Sequence, residues 1–181
     1  MSKILVFIAD GFEEIEGLTV VDLCRRAGID TTMVSITDKD SVVGSHGIEL
    51  KTDTVIGAVD FSGADMIVLP GGMPGTKHLE ACDKLMEQVD DFIAKGKKVS
   101  AICAAPTILG HRGHLQGRKA GCYPGLEGEL KGADVSYDKV SAADNIITSR
   151  GLGTAIPFAL AIIESLTDKA TADRIGQSVV Y

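Results

Sequence analysis

The stretch VSAICAAP, Val99 to Pro106, runs from an apolar segment straight into a cysteine, two alanines and a proline. With Lys97 and Lys98 its first half, KKVSAI, reads as a buried strand, and Ala104 to Leu109 resumes with helical character. A strand that passes directly into a helix is the repeating unit of a parallel sheet, whose neighbouring strands need a crossover connection. The flanking sequence repeats the pattern. Lys3 to Ala9 is an apolar run ending at Asp10-Gly11, and from Glu14 the residues Ile15, Leu18, Val21 and Leu23 recur at helical spacing. Arg25, Arg26 and Gly28 follow as helix-end signals. TTMVSI is a second strand, Ser41 to Thr54 a small hairpin or edge excursion around Gly44 and Gly47, and Asp65 to Leu69 a core strand cut off by Pro70-Gly71-Gly72. Leu85 to Ala94 reads as a helix ended by Gly96 and Asn145 to Thr148 as a late strand. Thr154 to Leu166 reads as an apolar helix capped by Thr167-Asp168. The alternation predicts an α/β fold, a mostly parallel central sheet covered by helices on both faces.

A chain of 181 residues, 45% of them hydrophobic, can bury a full core, and with no repeat or linker it reads as a single domain over residues 1–181. The net charge of -7, with 18 scattered Lys and Arg, opposes binding to nucleic acid or to an anionic membrane. Ile4 to Ala9 is too short for a signal-peptide core, and no run approaches the ~18 apolar residues of a spanning helix, so the expected location is cytoplasmic. Cys24, Cys82, Cys103 and Cys122 form no C-x-x-C pair, which argues for reduced thiols rather than zinc or dithiol redox chemistry. His111 and His114 lack an accompanying ligand cluster and read as solvated side chains, so no metal is expected.

Ligands of an open parallel sheet bind at the carboxyl ends of its strands. Three joints lie there: DGFEEIEG after the first strand, PGGMPG after the third core strand, and Cys103. A lone thiol is most often a small buried hydrophobe, the reading given to Cys24, Cys82 and Cys122. Cys103 is set apart by its place at an abrupt strand-to-helix turn with Ala101, Ala104 and Ala105 around it, the setting of a nucleophile elbow. The helix N-terminus there is expected to bring its pKa below the ~8.5 of a free cysteine. Gly71 and Gly72 make a turn beside it that can aim the Gly72 N–H at the space above Cys103, where the Ala104 N–H would complete an oxyanion hole. Glu13 and Glu14 are explained by the helix dipole; Glu16, turned inward, would be a desolvated carboxyl with a raised pKa, able to move a proton near the thiolate.

GFEEIEG, VLPGGMPG, AICAAP and TSRGLGTAIPFALAIIE occur in the order and spacing of the DJ-1/ThiJ/PfpI superfamily, and the chain is most similar to its DJ-1/ThiJ branch over nearly its whole length. The resemblance implies a flavodoxin-like three-layer α/β/α sandwich and a homodimer. It makes Cys103 the nucleophilic, oxidation-sensitive cysteine, Glu16 the family's glutamate, and Gly72 and Ala104 the oxyanion-type donors. Ala104 stands where peptidase-like members have histidine, which removes the base for proteolysis. Tyr123, in GCYPG, stands where some DJ-1-branch members carry histidine and is a poor base near neutrality. The activity implied is cofactor-free conversion of small reactive 2-oxoaldehydes such as methylglyoxal, or removal of early glycation adducts. The alternative is a redox sensor or chaperone working through oxidation of Cys103. A role in thiamine precursor metabolism finds no support, because GLGTA matches no nucleotide fingerprint.

Overall fold

The computed structural model describes residues 2–181. Its strands in chain order are β1 (Lys3–Ile8), β2 (Asp30–Ser35), β3 (Ser41–Val43), β4 (Glu49–Lys51), β5 (Thr54–Val55), β6 (Met66–Leu69), β7 (Lys98–Ile102), β8 (Lys119–Ala120), β9 (Asp134–Val135), β10 (Val140–Ala143) and β11 (Ile146–Ser149). The helices are α1 (Glu14–Arg26), α2 (Gly75–Glu80), α3 (Asp83–Ala94), α4 (Pro106–His111), α5 (Ala155–Leu166) and α6 (Lys169–Ser178). Seven strands form one sheet in the order β10-β11-β7-β6-β1-β2-β5, parallel throughout except for β10 against β11. This is the expected flavodoxin-like α/β sandwich.

The sheet divides the core because successive strand residues face opposite ways. Leu5 and Phe7 of β1 pack with Leu85, Val89 and Phe92 of α3 on one face. Ile4, Val6 and Ile8 pack with Val20 of α1 and Phe158 and Ile162 of α5 on the other. That explains why Ile4–Ile8 of β1 and Met66–Leu69 of β6 are continuous apolar runs rather than alternating ones, and why β7 is buried from Val99 to Ile102, Ser100 included.

Several boundaries differ from the sequence reading. The Ser41–Thr54 excursion resolves into the antiparallel pair β3–β4 with β5 joining the main sheet. The apolar C-terminal helix begins at Ala155, after a 3-10 turn at Leu152–Thr154. Asp168 does not cap that helix; its carboxylate accepts from the Thr171 N–H and starts α6, a helix the apolar pattern does not announce. On α1, Val21 and Leu23 are buried as expected, whereas Ile15 and Leu18 are 50% and 36% exposed. Among the described residues no helix is long and apolar enough to cross a membrane.

Candidate active site around Cys103

Cys103 follows the last residue of β7 and holds φ at 66°, the left-handed region that a non-glycine residue enters at a cost of about 1–3 kcal/mol. Both its backbone polar groups are tied down. Its N–H donates to Ser149 O at the end of β11 (3.0 Å), and its carbonyl accepts from the Tyr123 N–H (2.7 Å). The turn into α4 is closed by the Thr107 hydroxyl donating to Ala104 O at 2.7 Å. This is the expected elbow, and it leaves the sulfur half-buried at the carboxyl ends of the strands.

The joints expected to surround the cysteine do so. Glu16, on the first turns of α1 and 1% exposed, points inward, and its Oε2 accepts from the Gly71 N–H at 2.9 Å. Its Oε1 is buried without a hydrogen-bond partner. Gly71 carries no side chain for a direct reason: a Cβ there would stand 2.6 Å from Cys103 Cβ and 2.8 Å from Glu16 Oε2. Gly72 adopts φ +91°, and a Cβ on it would collide with the Glu13 backbone N. The backbone N–H groups of Gly72 and Ala104 lie near enough to the Cys103 sulfur to favour its thiolate. Beyond the sulfur opens a cavity of about 380 Å³, walled on one side by Gly72 and Met73 and on the other by Tyr123 to Leu126. Tyr123 is half exposed, its ring within reach of Gly151. Arg150 lies elsewhere, its guanidinium over the Tyr137 ring at 5.6 Å.

The protonation of the pair differs in part from expectation. Burial pushes the Glu16 carboxyl up from 4.5 to about 7, against the hydrogen bonds from Cys103 and Gly71 and with help from the charge of Glu13. The thiol is not depressed. Burial, then the charge of Glu16 and the hydrogen bond to it, push Cys103 up to about 12 while the Gly72 and Ala104 N–H groups pull it down. The six residues of α4 start at Pro106, beyond the cysteine, so the helix terminus does not outweigh desolvation and an adjacent carboxylate. The two groups therefore titrate as one system. With the proton on Glu16, the carboxylate charge no longer raises the thiol and the Gly72 and Ala104 N–H groups favour the thiolate, while burial continues to oppose it.

Sequence reasoning missed other ionic groups. Glu14 is not a dipole-stabilised surface acid; it is 2% exposed, and its carboxylate accepts from the His46 N–H (2.8 Å) and bonds the His46 ring (2.9 Å). Burial opposes that charge, but the bonds from His46 prevail and hold Glu14 at about 2. Among the described residues Glu13, Glu14 and His46 bring three potential ligand atoms within 4.8 Å of one another, a grouping the His46–Glu14 pair accounts for. His111 is exposed, as expected, and His114 half-buried, but both are paired with carboxylates. His111 bridges Glu80 and Glu129, and His114 Nε2 bonds Asp90 at 2.6 Å. Cys24 and Cys122 are buried, with burial pushing their thiols up to about 12 and about 11; Cys82 is half-buried against the core.

Fold and site together define an α/β sandwich protein with a cysteine at a strained elbow paired with a buried carboxyl. The model of the DJ-1/PfpI family matches residues 2–165, and the chain belongs to that family. It is 34% identical over 180 residues to DJ-1 homolog B of Arabidopsis thaliana, covering 98% of this chain but only 41% of the length of that relative. A Caenorhabditis elegans protein named glutathione-independent glyoxalase DJR-1.2 is 29% identical over 167 residues, 91% of this chain and 88% of that protein. The structure of oxidized Toxoplasma gondii DJ-1 superposes with a TM-score of 0.96 at 36% identity, covering 100% of this chain and 99% of that one.

Proposed function

We propose that the protein is a cysteine enzyme acting on small 2-oxoaldehydes or the early glycation adducts they form, without glutathione. The observation that carries this reading is the placement of the buried Glu16 carboxyl against Cys103, both in contact with Gly71, beside a cavity of about 380 Å³ that Gly72, Cys103 and Ala104 help to line. In this mechanism Cys103 passes its proton to Glu16 as it adds to the aldehyde carbon, and the carbonyl electrons become an oxyanion. That oxygen is held by the Gly72 and Ala104 N–H groups and is then protonated. Glu16, ionised again, removes the hydrogen from the former aldehyde carbon and the electrons flow into the neighbouring ketone; the hydroxyl proton passes from the first oxygen to the second, and Glu16 returns its proton to the second carbon. The product is a 2-hydroxyacyl thioester. Water hydrolyses it to the 2-hydroxy acid and the free thiol, so the net change is addition of one water. No step calls on a cofactor. The name of the C. elegans relative supports the substrate class.

The orphaned Glu16 Oε1 favours a second reading, in which a protonated Glu16 donates to an oxygen of Cys103 oxidised to the sulfinate and the protein senses peroxide. We further propose a homodimer, supported by exposed Ile15 and Leu18 on α1 and Val43 and Ile48 on the hairpin bonded to its entry, and, from the four free thiols, a reducing, cytoplasmic setting. The test of the enzyme reading is proton NMR of methylglyoxal with native protein and with Cys103→Ser, no glutathione present. Catalytic lactate that disappears in the variant is the expected result. Lactate no higher than in the protein-free control rejects turnover on this substrate and leaves the peroxide-sensing reading.

A further inference from the structure

The walls of the Cys103 cavity are tied together at a point away from the cavity. One wall, Gly72–Met73, runs into α2, whose last residue is Glu80; the other, Tyr123–Leu126, runs into a 3-10 turn whose last residue is Glu129. The floor, Cys103–Ala104, runs into α4, whose last residue is His111. These three end residues meet. His111 Nδ1 lies 2.6 Å from Glu80 Oε1, and His111 Nε2 lies 2.9 Å from Glu129 Oε2. We propose that His111 is a positioning residue: by bridging Glu80 and Glu129 it holds the two walls of the Cys103 cavity at a fixed separation and so sets which molecules reach the thiol.

Both ring nitrogens face carboxylate oxygens, so both bonds exist together only when the ring carries two N–H groups, that is, as the imidazolium. Losing one proton turns one nitrogen into an acceptor facing an acceptor, and that link opens. The Glu80 bond raises the His111 pKa, burial lowers it, and Glu129 raises it again, so the clamp is closed at low pH and opens as pH rises past that raised value. The other charges facing this point are Lys131, after the 3-10 turn, and Arg112, which pairs with Asp90 of α3 and lies near Glu80 and Asp83. Arg112, raised further by Asp90, keeps its charge through the histidine range. The seat is tightly packed. A Cβ on Gly110 would meet Glu129 O and stand 2.9 Å from both Leu130 Cα and Lys131 N, so α4 lies directly on the segment it holds.

The proposal rests on the cavity being the substrate entrance, and its test is independent of turnover. Native protein, His111→Ala and His111→Arg are alkylated with a small and a bulky thiol reagent from about pH 6 to about pH 9, and Cys103 labelling is followed by peptide mass spectrometry. The ratio of the two rates at each pH cancels the thiolate fraction, which is common to both reagents. For native protein the bulky-to-small ratio is expected to rise roughly fivefold across the His111 titration, the effect of one partly exposed ion pair. It is expected to be high at every pH in His111→Ala. In His111→Arg, which can donate to both carboxylates at all these pH values, it is expected to stay low. A native ratio flat with pH overturns the proposal without any variant, and so does a His111→Arg ratio that climbs as the native one does. A flat ratio alongside intact lactate formation would fault the clamp and leave the enzyme reading standing.

Discussion

Replacing Glu16 with glutamine isolates the cost of the buried carboxylate. Glu16 is 1% exposed and titrates near 7 in the fold against 4.5 in the unfolded chain. At 1.36 kcal/mol per pH unit this difference amounts to roughly 3 kcal/mol. Because the folded value is raised, the native state holds the proton more tightly than the unfolded chain does. The associated stability is complete below 4.5 and is lost as pH climbs through about 7. Glutamine keeps the shape and has no such ionisation. Urea unfolding of both proteins, followed by circular dichroism from about pH 4.5 to about pH 8, should show the native protein losing roughly 3 kcal/mol relative to Glu16→Gln. Groups such as Glu14 and Asp90, both held at about 2, are common to the two proteins and cancel. A difference that stays constant over this range, or that moves in favour of native protein as pH rises, would refute the burial argument.

Three further outcomes are expected. Gly71→Ala forces a Cβ against Cys103 and Glu16, so it should cost about 1–3 kcal/mol in urea unfolding and displace the thiol enough to slow its alkylation. His46→Ala removes the partner of a buried carboxylate whose pKa is lowered from 4.5 to about 2. The stability from that pair is present above 4.5 and lost as pH falls toward about 2, so thermal melts should separate the variant from native protein at neutral pH and converge in acid. Ile15→Glu places a charge on the exposed apolar face of α1 and should shift the species seen by analytical ultracentrifugation from dimer to monomer; a native protein already monomeric at micromolar concentration would remove the dimer proposal.

The parallel sheet was legible because β1, β6 and β7 are buried on both faces and so appear as short, mainly apolar runs, interrupted in β7 by Ser100, each closely followed by glycine, proline or cysteine. α2 and α6 were not. GTKHLE is one turn and a half without an apolar stripe, and KATADRIGQS buries only Ala172, Ile175 and Gly176. At the site, the elbow at Cys103, the inward Glu16 and the two glycines followed from local spacing plus the rule that ligands collect at strand ends. What escaped was long-range. His111 meets partners 31 and 18 residues away, and His46 meets Glu14 across 32 residues, separations at which no periodicity links the side chains. The thiol was misjudged because helix proximity is visible in sequence, whereas the balance of desolvation and an adjacent carboxylate depends on burial.

The central claim is a division of labour in which Cys103 forms the carbon–sulfur bond and Glu16 moves the proton that completes turnover. It is tested most directly by incubating Glu16→Gln with methylglyoxal and following lactate by NMR and the protein by peptide mass spectrometry. Adduct carried on Cys103 with lactate formation reduced at least about a hundredfold is the predicted result, the usual scale for loss of a proton-transfer group. Lactate at the native rate, or an adduct confined to residues other than Cys103, would contradict it.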